Sequence, residues 1–395
     1  MPPHVIDLRQ ADDRRDVVHR AVQTLAEGGL VVFPTETVYG VGASARNVAG
    51  VNRIFEAKGR RRQAPLALAI KSAEEALDYV PHPGRIAERL ARRCWPGPIT
   101  LVMDRNGGIG QGSIGQAGIE QAGIGPGAEG GLIDQLPAPV RQVVAPNGTV
   151  GMRVPAHDTI LAILQMLAGP IALTSANRTG EAAAVSAQQA IASLGDHVAL
   201  VLDDGNCRYG QPSTVVRTTA EGFRCLREGV VSQSALDRLS SMIILLVCTG
   251  NTCRSPMAEV LMRRLIAGKL RCPVEELDQR GVLVASAGIA AAPGCGPSAE
   301  AVVVMEEKSL CLANHASQPL TEKLVRHADL ILTMTGAHRQ AILRRWPGAA
   351  ARTETVLANA GDIGDPIGGP ISIYRECAEQ IEAALRARVE ELVIN

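Results

Sequence analysis

The chain has 395 residues, of which 46% are hydrophobic, 20% charged and only 2% aromatic, with 40 basic residues balanced by 40 acidic ones. That length exceeds the ~100–200 residues of one domain, so two domains with separate cores are expected. So few Tyr, Phe and Trp argue against nucleic-acid binding through stacking platforms, and zero net charge argues against a dominant electrostatic grip on nucleic acid or an anionic membrane.

Val17, Val18, Ala21, Val22 and Leu25 share one face, which predicts a helix over Asp16 to Leu25 that Gly28 and Gly29 stop. Leu30 to Phe33 reads as a strand ended by Pro34. Thr159 to Leu167 (helix) and Ile171 to Leu173 (strand) continue a mixed α/β pattern. From about 106 to 131 the chain degenerates into Gly, Gln and Ala, with Ile109, Ile114, Ile119 and Ile124 recurring every five residues. That period fits neither helix nor strand, so a surface insertion is expected. Ser232 to Ser241 is a polar helical stretch and the expected linker between domains at 1–233 and 242–395. Ile243 to Val247 is a short, wholly apolar run, as a central parallel strand requires. Strand-like Val282-Leu283-Val284 and Leu330-Ile331-Leu332 alternate with helical Ala299 to Glu307 and Ala378 to Leu385, which predicts a doubly wound parallel sheet. Nine cysteines do not make a disulfide scaffold in a chain this long. The odd count, no signal-peptide pattern at Met1 to Ile6 and no apolar run near ~18 residues point to the reducing cytoplasm.

The sharpest motif is Cys248-Thr249-Gly250-Asn251-Thr252-Cys253-Arg254-Ser255, straight after the apolar strand and before a helix expected to open at Pro256. Loop amides and a helix N-terminus converging on one point favour an oxyanion and a thiolate at Cys248. Arg254 can clamp phosphate oxygens bidentately, and Ser255 can donate to the thiolate. Gly250 lets the backbone approach, and Asn251 tolerates the left-handed conformation of such a loop. Phosphoryl transfer also needs a general acid, and Asp365-Pro366, in a Gly/Pro loop before the last helix, is the candidate.

With these motifs in order, 242–395 resembles the low-molecular-weight protein phosphatases. The resemblance implies a phosphocysteine at Cys248, transition-state binding by Arg254, Asp365 as acid and then base, and neither metal nor cofactor. It also implies a protective Cys248–Cys253 disulfide, beside the plainer reading of Cys253 as a buried thiol. Tyrosine-directed members carry an apolar residue where Thr252 stands and aromatic residues after the Asp-Pro. Here Ile367-Gly368-Gly369 follows, so the combination resembles the protein-arginine-phosphatase branch, with phosphotyrosine the alternative.

In the first segment, Pro34-Thr35-Glu36-Thr37-Val38-Tyr39-Gly40, Ser175-Ala176-Asn177 and Ser213-Thr214-Val215 place hydroxyls at strand ends, and Lys58-Gly59-Arg60 follows a helix. Together they suggest an anionic, multi-phosphate ligand held without a Walker-type loop. These stretches, with Trp95 to Met103, Val150 to Pro155 and Leu226 to Gly229, resemble the YrdC-type threonylcarbamoyl-AMP synthases, whose fold is a twisted, mainly open α/β sheet around a positive cavity. The resemblance implies L-threonine, bicarbonate and ATP as substrates, with Mg²⁺ accompanying ATP, and downstream tRNA-modification proteins as partners. Matched motif by motif, Thr37, Arg153 and Ser213 would hold threonine, and Lys58, Arg60, Thr149, Ser175, Asn177 and Arg227 would serve ATP. Arg61 stands where the family often has Pro, and Leu68-Ala69-Ile70 lacks its usual His. The sequence thus reads as a bifunctional cytoplasmic enzyme without membrane association. The alternative is a tyrosine-directed phosphatase carrying a degenerate nucleotide- or RNA-binding module.

Overall fold

A computed structural model of the chain describes residues 2–105, 131–220, 222–358 and 361–394. The Gly-rich stretch from 106 to 130 lies outside the described residues. The chain divides into two units, Met1–Leu236 and Asp237–Asn395.

The first unit is built on one ten-stranded sheet. Its strands are β1 (His4–Asp7), β2 (Val31–Phe33), β3 (Gly40–Ser44), β4 (Ala67–Ala69), β5 (Ile99–Asp104), β6 (Thr149–Arg153), β7 (Ile171–Ser175), β8 (Leu200–Asp203), β9 (Thr214–Thr218) and β10 (Phe223–Arg227). They lie in the order β1-β8-β2-β3-β7-β4-β6-β5-β9-β10, with parallel pairs such as β4/β6 and antiparallel pairs such as β3/β7. The expected first helix is Arg14–Ala26; it starts two residues early because the Asp13 side chain accepts from Arg15 N–H, and it buries Val17, Val18, Ala21 and Leu25. The helix Val48–Lys58 ends at Gly59, whose left-handed φ of 58° turns the chain so that Lys58 and Arg60 diverge. The strand expected at Ile171 to Leu173 runs on to Ser175 because Gly40 and Val41 of β3 pair with Ser175 and Thr174.

The second unit has four parallel strands, β11 (Met242–Cys248), β12 (Val282–Gly288), β13 (Leu330–Thr333) and β14 (Thr353–Thr355), in the order β12-β11-β13-β14. The apolar run in β11 alternates between two cores. Ile244 and Leu246 join Met257, Leu261 and Ile381 on one face, while Leu245 and Val247 join Val325, Ile331 and Ile342 on the other. A strand covered on both faces must be apolar at every position, which is why this one was legible. The sheet is the doubly wound parallel type expected. The helix after the loop begins at Arg254 rather than Pro256, since Pro is tolerated in a first helical turn. The helical stretch Ala378 to Leu385 is the middle of a longer helix, Ile371–Glu391. Among the described residues, no helix is long and apolar enough to cross a membrane.

Candidate functional sites

In the first unit a cavity of about 290 Å³ opens among the ends of β2, β6, β7 and β10. Arg60, Thr149, Arg153, Ser175, Ser213 and Arg227 line it. Arg153 is only 7% exposed. Its Nη2 donates to Glu36 Oε1 at 2.7 Å and to Thr37 Oγ1 at 2.9 Å, and its Nε donates to the Gly97 carbonyl at 3.2 Å. The other Glu36 oxygen accepts from the Ala156 amide at 3.0 Å. Arg227 reaches the Ser213 carbonyl at 2.8 Å and its hydroxyl at 3.2 Å, and that hydroxyl meets Thr100 Oγ1 at 3.0 Å. Burial, and then the charge of Arg153, lowers the pKa of Arg227; burial, and then the charge of Arg227, lowers that of Arg60. Arg60 and Arg227, each disfavoured by burial and a neighbouring guanidinium, make the cavity a favourable place for an anion.

Three of the expected ligand residues stand behind this wall rather than in it. Thr37 is fully buried and spends its hydroxyl on Thr35 and Arg153. Lys58 donates from Nζ to the carbonyls of Ser175, at 2.5 Å, and Asn177. Burial, and then the Arg60 charge, lowers its pKa to about 8. Asn177 donates to the carbonyls of Arg178 and Glu181, and its buried Oδ1 has no hydrogen-bond partner. Lys58 therefore braces the Ser175–Asn177 turn that presents Ser175 to the cavity.

In the second unit the loop after β11 wraps one point. Asn251 takes a left-handed φ of 57°, and its amide donates to Cys248 Sγ at 3.2 Å. Its Nδ2 donates to Ser255 Oγ and Ser286 Oγ, each at 2.9 Å. Ser255 Oγ, 3.0 Å from Cys248 Sγ, accepts from Asn251 and so can turn its proton to the sulfur. Asn251 is held on its other atoms by the Gln318 amide at 2.9 Å and by His315 Nε2 at 2.8 Å. Gly288 at the end of β12 packs directly beneath the loop.

Arg254 is 4% exposed. Its Nη1 donates to the Ile363 carbonyl at 3.0 Å and its Nη2 to Asp365 Oδ2 at 2.5 Å, while its buried Nε has no partner. A buried N–H without a partner is a donor with room for an acceptor. Cys253 is a free, buried thiol 3.6 Å from the Tyr374 hydroxyl and from Thr252 Oγ1. Burial raises the Tyr374 pKa to about 12 and that of the nearby Cys377 to about 12. Thr249 Oγ1 lies 2.9 Å from Nε2 of His338, whose pKa is lowered first by burial and then by the Arg254 charge.

Sequence reasoning passed over Glu36, His315, Gln318 and His338. The signal for Glu36 was a carboxylate set between two threonines just past a strand. The two histidines carried none, since the contacts of His315 and His338 bridge 64 and 89 residues.

Comparison with known proteins follows the same division. A family model described as "Telomere recombination" (Sua5/YciO/YrdC) matches residues 23–124 and 131–229, and one described as "Low molecular weight phosphotyrosine protein phosphatase" matches 243–394. A threonylcarbamoyl-AMP synthase of Pyrococcus abyssi is 33% identical over 215 residues, 54% of this chain and 54% of that protein, so the chain spans about half of that relative. A putative threonylcarbamoyl-AMP synthase of Mycobacterium tuberculosis is 34% identical over 228 residues, 57% of this chain and 90% of that one. A protein-arginine-phosphatase of Bacillus subtilis is 39% identical over 155 residues, 38% of this chain and 97% of that one. The chain belongs to the Sua5/YciO/YrdC family through its first unit and to the low-molecular-weight protein phosphatases through its second.

Proposed function

We propose that the chain is a bifunctional enzyme of the reducing cytoplasm. Its first unit joins L-threonine, bicarbonate and ATP into threonylcarbamoyl-AMP, pyrophosphate and water; its second hydrolyses phosphorylated protein, with phosphoarginine the favoured substrate. The observation that carries the first half is the set of Arg60, Arg153 and Arg227 around one cavity, with Glu36 paired to Arg153. Arg153, its fork oriented by Glu36 and Thr37, receives the threonine carboxylate, with Ser213 beside it. Arg60 and Arg227 hold phosphate oxygens and stabilise the charge of departing pyrophosphate, assisted by the hydroxyls of Thr149 and Ser175. No group of three or more His, Cys, Asp or Glu that could hold a metal occurs among the described residues. Mg²⁺ would accompany ATP as a counter-charge on its phosphates. The product would pass to tRNA-modification proteins.

In the second unit the Cys248 thiolate attacks phosphorus, while Arg254 and the loop amides hold the equatorial oxygens. Asp365 protonates the leaving group and then deprotonates the water that releases phosphate from Cys248. Thr252 in the loop, and Ile367 (68% exposed) where a stacking ring would be needed for a phenol, support phosphoarginine over phosphotyrosine. The deciding experiment measures pyrophosphate release from ATP and bicarbonate with and without L-threonine, beside Arg153→Ala and Cys248→Ser. Threonine-dependent release lost only in Arg153→Ala, and phosphatase turnover lost only in Cys248→Ser, is the expected result. No threonine dependence in a protein with active phosphatase would leave the first unit a binding module. Thr252→Ile is expected to move preference toward phosphotyrosine; an unchanged ratio would remove the phosphoarginine assignment.

A further inference from the structure

Within the loop Cys248–Ser255, Thr249 alone is exposed. It directly follows the nucleophile, so its side chain stands at the mouth of the site. Its hydroxyl is nevertheless fixed, 2.9 Å from Nε2 of His338. His338 is 5% exposed and sits in the first turn of the helix Gly336–Arg345. Its Nδ1 lies 2.9 Å from Thr335 Oγ1, the helix cap, which also accepts from the His338 amide at 3.2 Å. Asp362, on the loop that carries Asp365, accepts from the Gly336 amide at 2.7 Å. One buried imidazole thus links the phosphate loop to the helix end on which the acid loop is anchored.

We infer that the Thr335–His338–Thr249 chain is a specificity device, which presents Thr249 Oγ1 as a hydrogen-bond acceptor to the guanidino group of a phosphoarginine substrate. This deepens the phosphoarginine reading and rests on it. A guanidino group brings N–H donors, whereas the phenolic leaving group of phosphotyrosine brings none in its ester form. A freely turning hydroxyl offers a donor as readily as an acceptor. When Thr249 donates to Nε2, and Nδ1–H donates to Thr335 Oγ1, the Thr249 proton is committed and both its lone pairs face outward. Thr335 can accept both N–H groups, since a hydroxyl oxygen has two lone pairs. This polarity needs a neutral imidazole. The charged groups that act on His338 are Arg254, which together with burial favours the neutral ring, and Asp365 and Asp362, which oppose it. Protonation would make Nε2 a donor, occupy a Thr249 lone pair and free the hydroxyl proton to point at the substrate's own donors.

Thr249 and His338 are therefore positioning and specificity residues, distinct from Thr252. The test compares kcat/KM for a phosphoarginine peptide with that for a phosphotyrosine peptide in the full chain. Thr249→Val is expected to lower the arginine-to-tyrosine ratio about tenfold, the scale of one hydrogen bond to a polar or charged donor. Thr249→Ser keeps the hydroxyl and is expected to keep the ratio. His338→Leu is expected to lower it equally, and adding it to Thr249→Val to change nothing further. In the wild type the ratio falls on acidification as His338 becomes protonated, at a pH below the ordinary histidine range because burial and Arg254 favour the neutral ring, and in Thr249→Val it does not. A wild type that cleaves phosphoarginine with a ratio unchanged in Thr249→Val would overturn this inference and leave the substrate reading standing. A wild type that cleaves phosphotyrosine but not phosphoarginine would overturn both.

Discussion

Glu36 Oε1 lies 2.7 Å from Arg153 Nη2, with both side chains less than a tenth exposed. With Nε on the Gly97 carbonyl and Nη2 on Glu36 and Thr37, Nη1 is left for the cavity that Arg153 lines. Removing one partner of a buried pair strands the other charge, at a cost of about 3–5 kcal/mol. Glu36→Ala is therefore expected to destabilise the first unit by an amount on that scale and to weaken L-threonine binding, because Arg153 loses its orientation. Glu36→Gln keeps an acceptor for Arg153 and should recover most of the stability. Urea unfolding and calorimetric titration with L-threonine check both; an unaltered Glu36→Ala would show that the pair does not orient Arg153.

Lys58 gives the clearest pH dependence. Its ordinary pKa is 10.5 and its folded value about 8, lowered chiefly by burial. Below pH 8 both folded and unfolded chains hold the proton and the contribution is constant. Between the two values the unfolded chain holds more protons, so this group makes stability rise with pH. Function should respond in the opposite sense, since deprotonation weakens the donors that brace the Ser175 and Asn177 carbonyls. Pyrophosphate release is expected to decline above about pH 8, in kcat more than in the KM for threonine, with the decline absent in Lys58→Met. A Lys58→Met protein whose pH profile matches the wild type would end this account.

Asp365 pairs with Arg254 and is 43% exposed on its side chain, an exposure compatible with the general-acid role proposed for it. Asp365→Asn removes the proton donor but keeps a polar neighbour for the guanidinium. Loss of general acid catalysis is worth roughly 10²–10⁴-fold in rate. The expected result is a fall of that size in kcat on phosphopeptide, with a smaller fall on an aryl phosphate whose leaving group needs no protonation. Equal losses on both substrates would mean that Asp365 serves only to place Arg254.

What could be read in the sequence was whatever is local. β11 and its loop were legible because a strand buried on both faces is apolar throughout, and because Cys248 to Ser255 is contiguous. Asn251 in the left-handed region was legible for the same reason. The partners that fix the loop were not: Ser286 reaches it from β12, His315 and Gln318 from the segment beyond, and His338 from another helix. In the first unit Arg60 and Ser213, which line the cavity, followed from charge and a strand end, whereas Arg153 and Arg227 came only with the family resemblance. The inward placing of Thr37 and Lys58 did not follow, since a motif gives a residue's neighbourhood but not which side of a wall it faces. Glu36 was hidden by its setting, because a Glu after a strand most often reads as solvated surface.

Gly288 supplies a further test, of packing rather than chemistry. It ends β12 opposite Cys248 in the parallel register. A Cβ added there would collide with the Thr249 carbonyl oxygen and come 3.0 Å from the Asn251 amide nitrogen. Both belong to backbone, which cannot swing aside as a side-chain tip can. That amide is the one directed at Cys248 Sγ. Gly288→Ala is therefore expected to displace the amides that receive phosphate, cutting phosphatase kcat/KM by at least about tenfold for each loop donor lost. Threonine-dependent pyrophosphate release should be retained, because no residue of the first site is touched. Phosphate or vanadate affinity reads the loop directly, and undiminished affinity in Gly288→Ala would show that the loop can shift without losing its anion geometry.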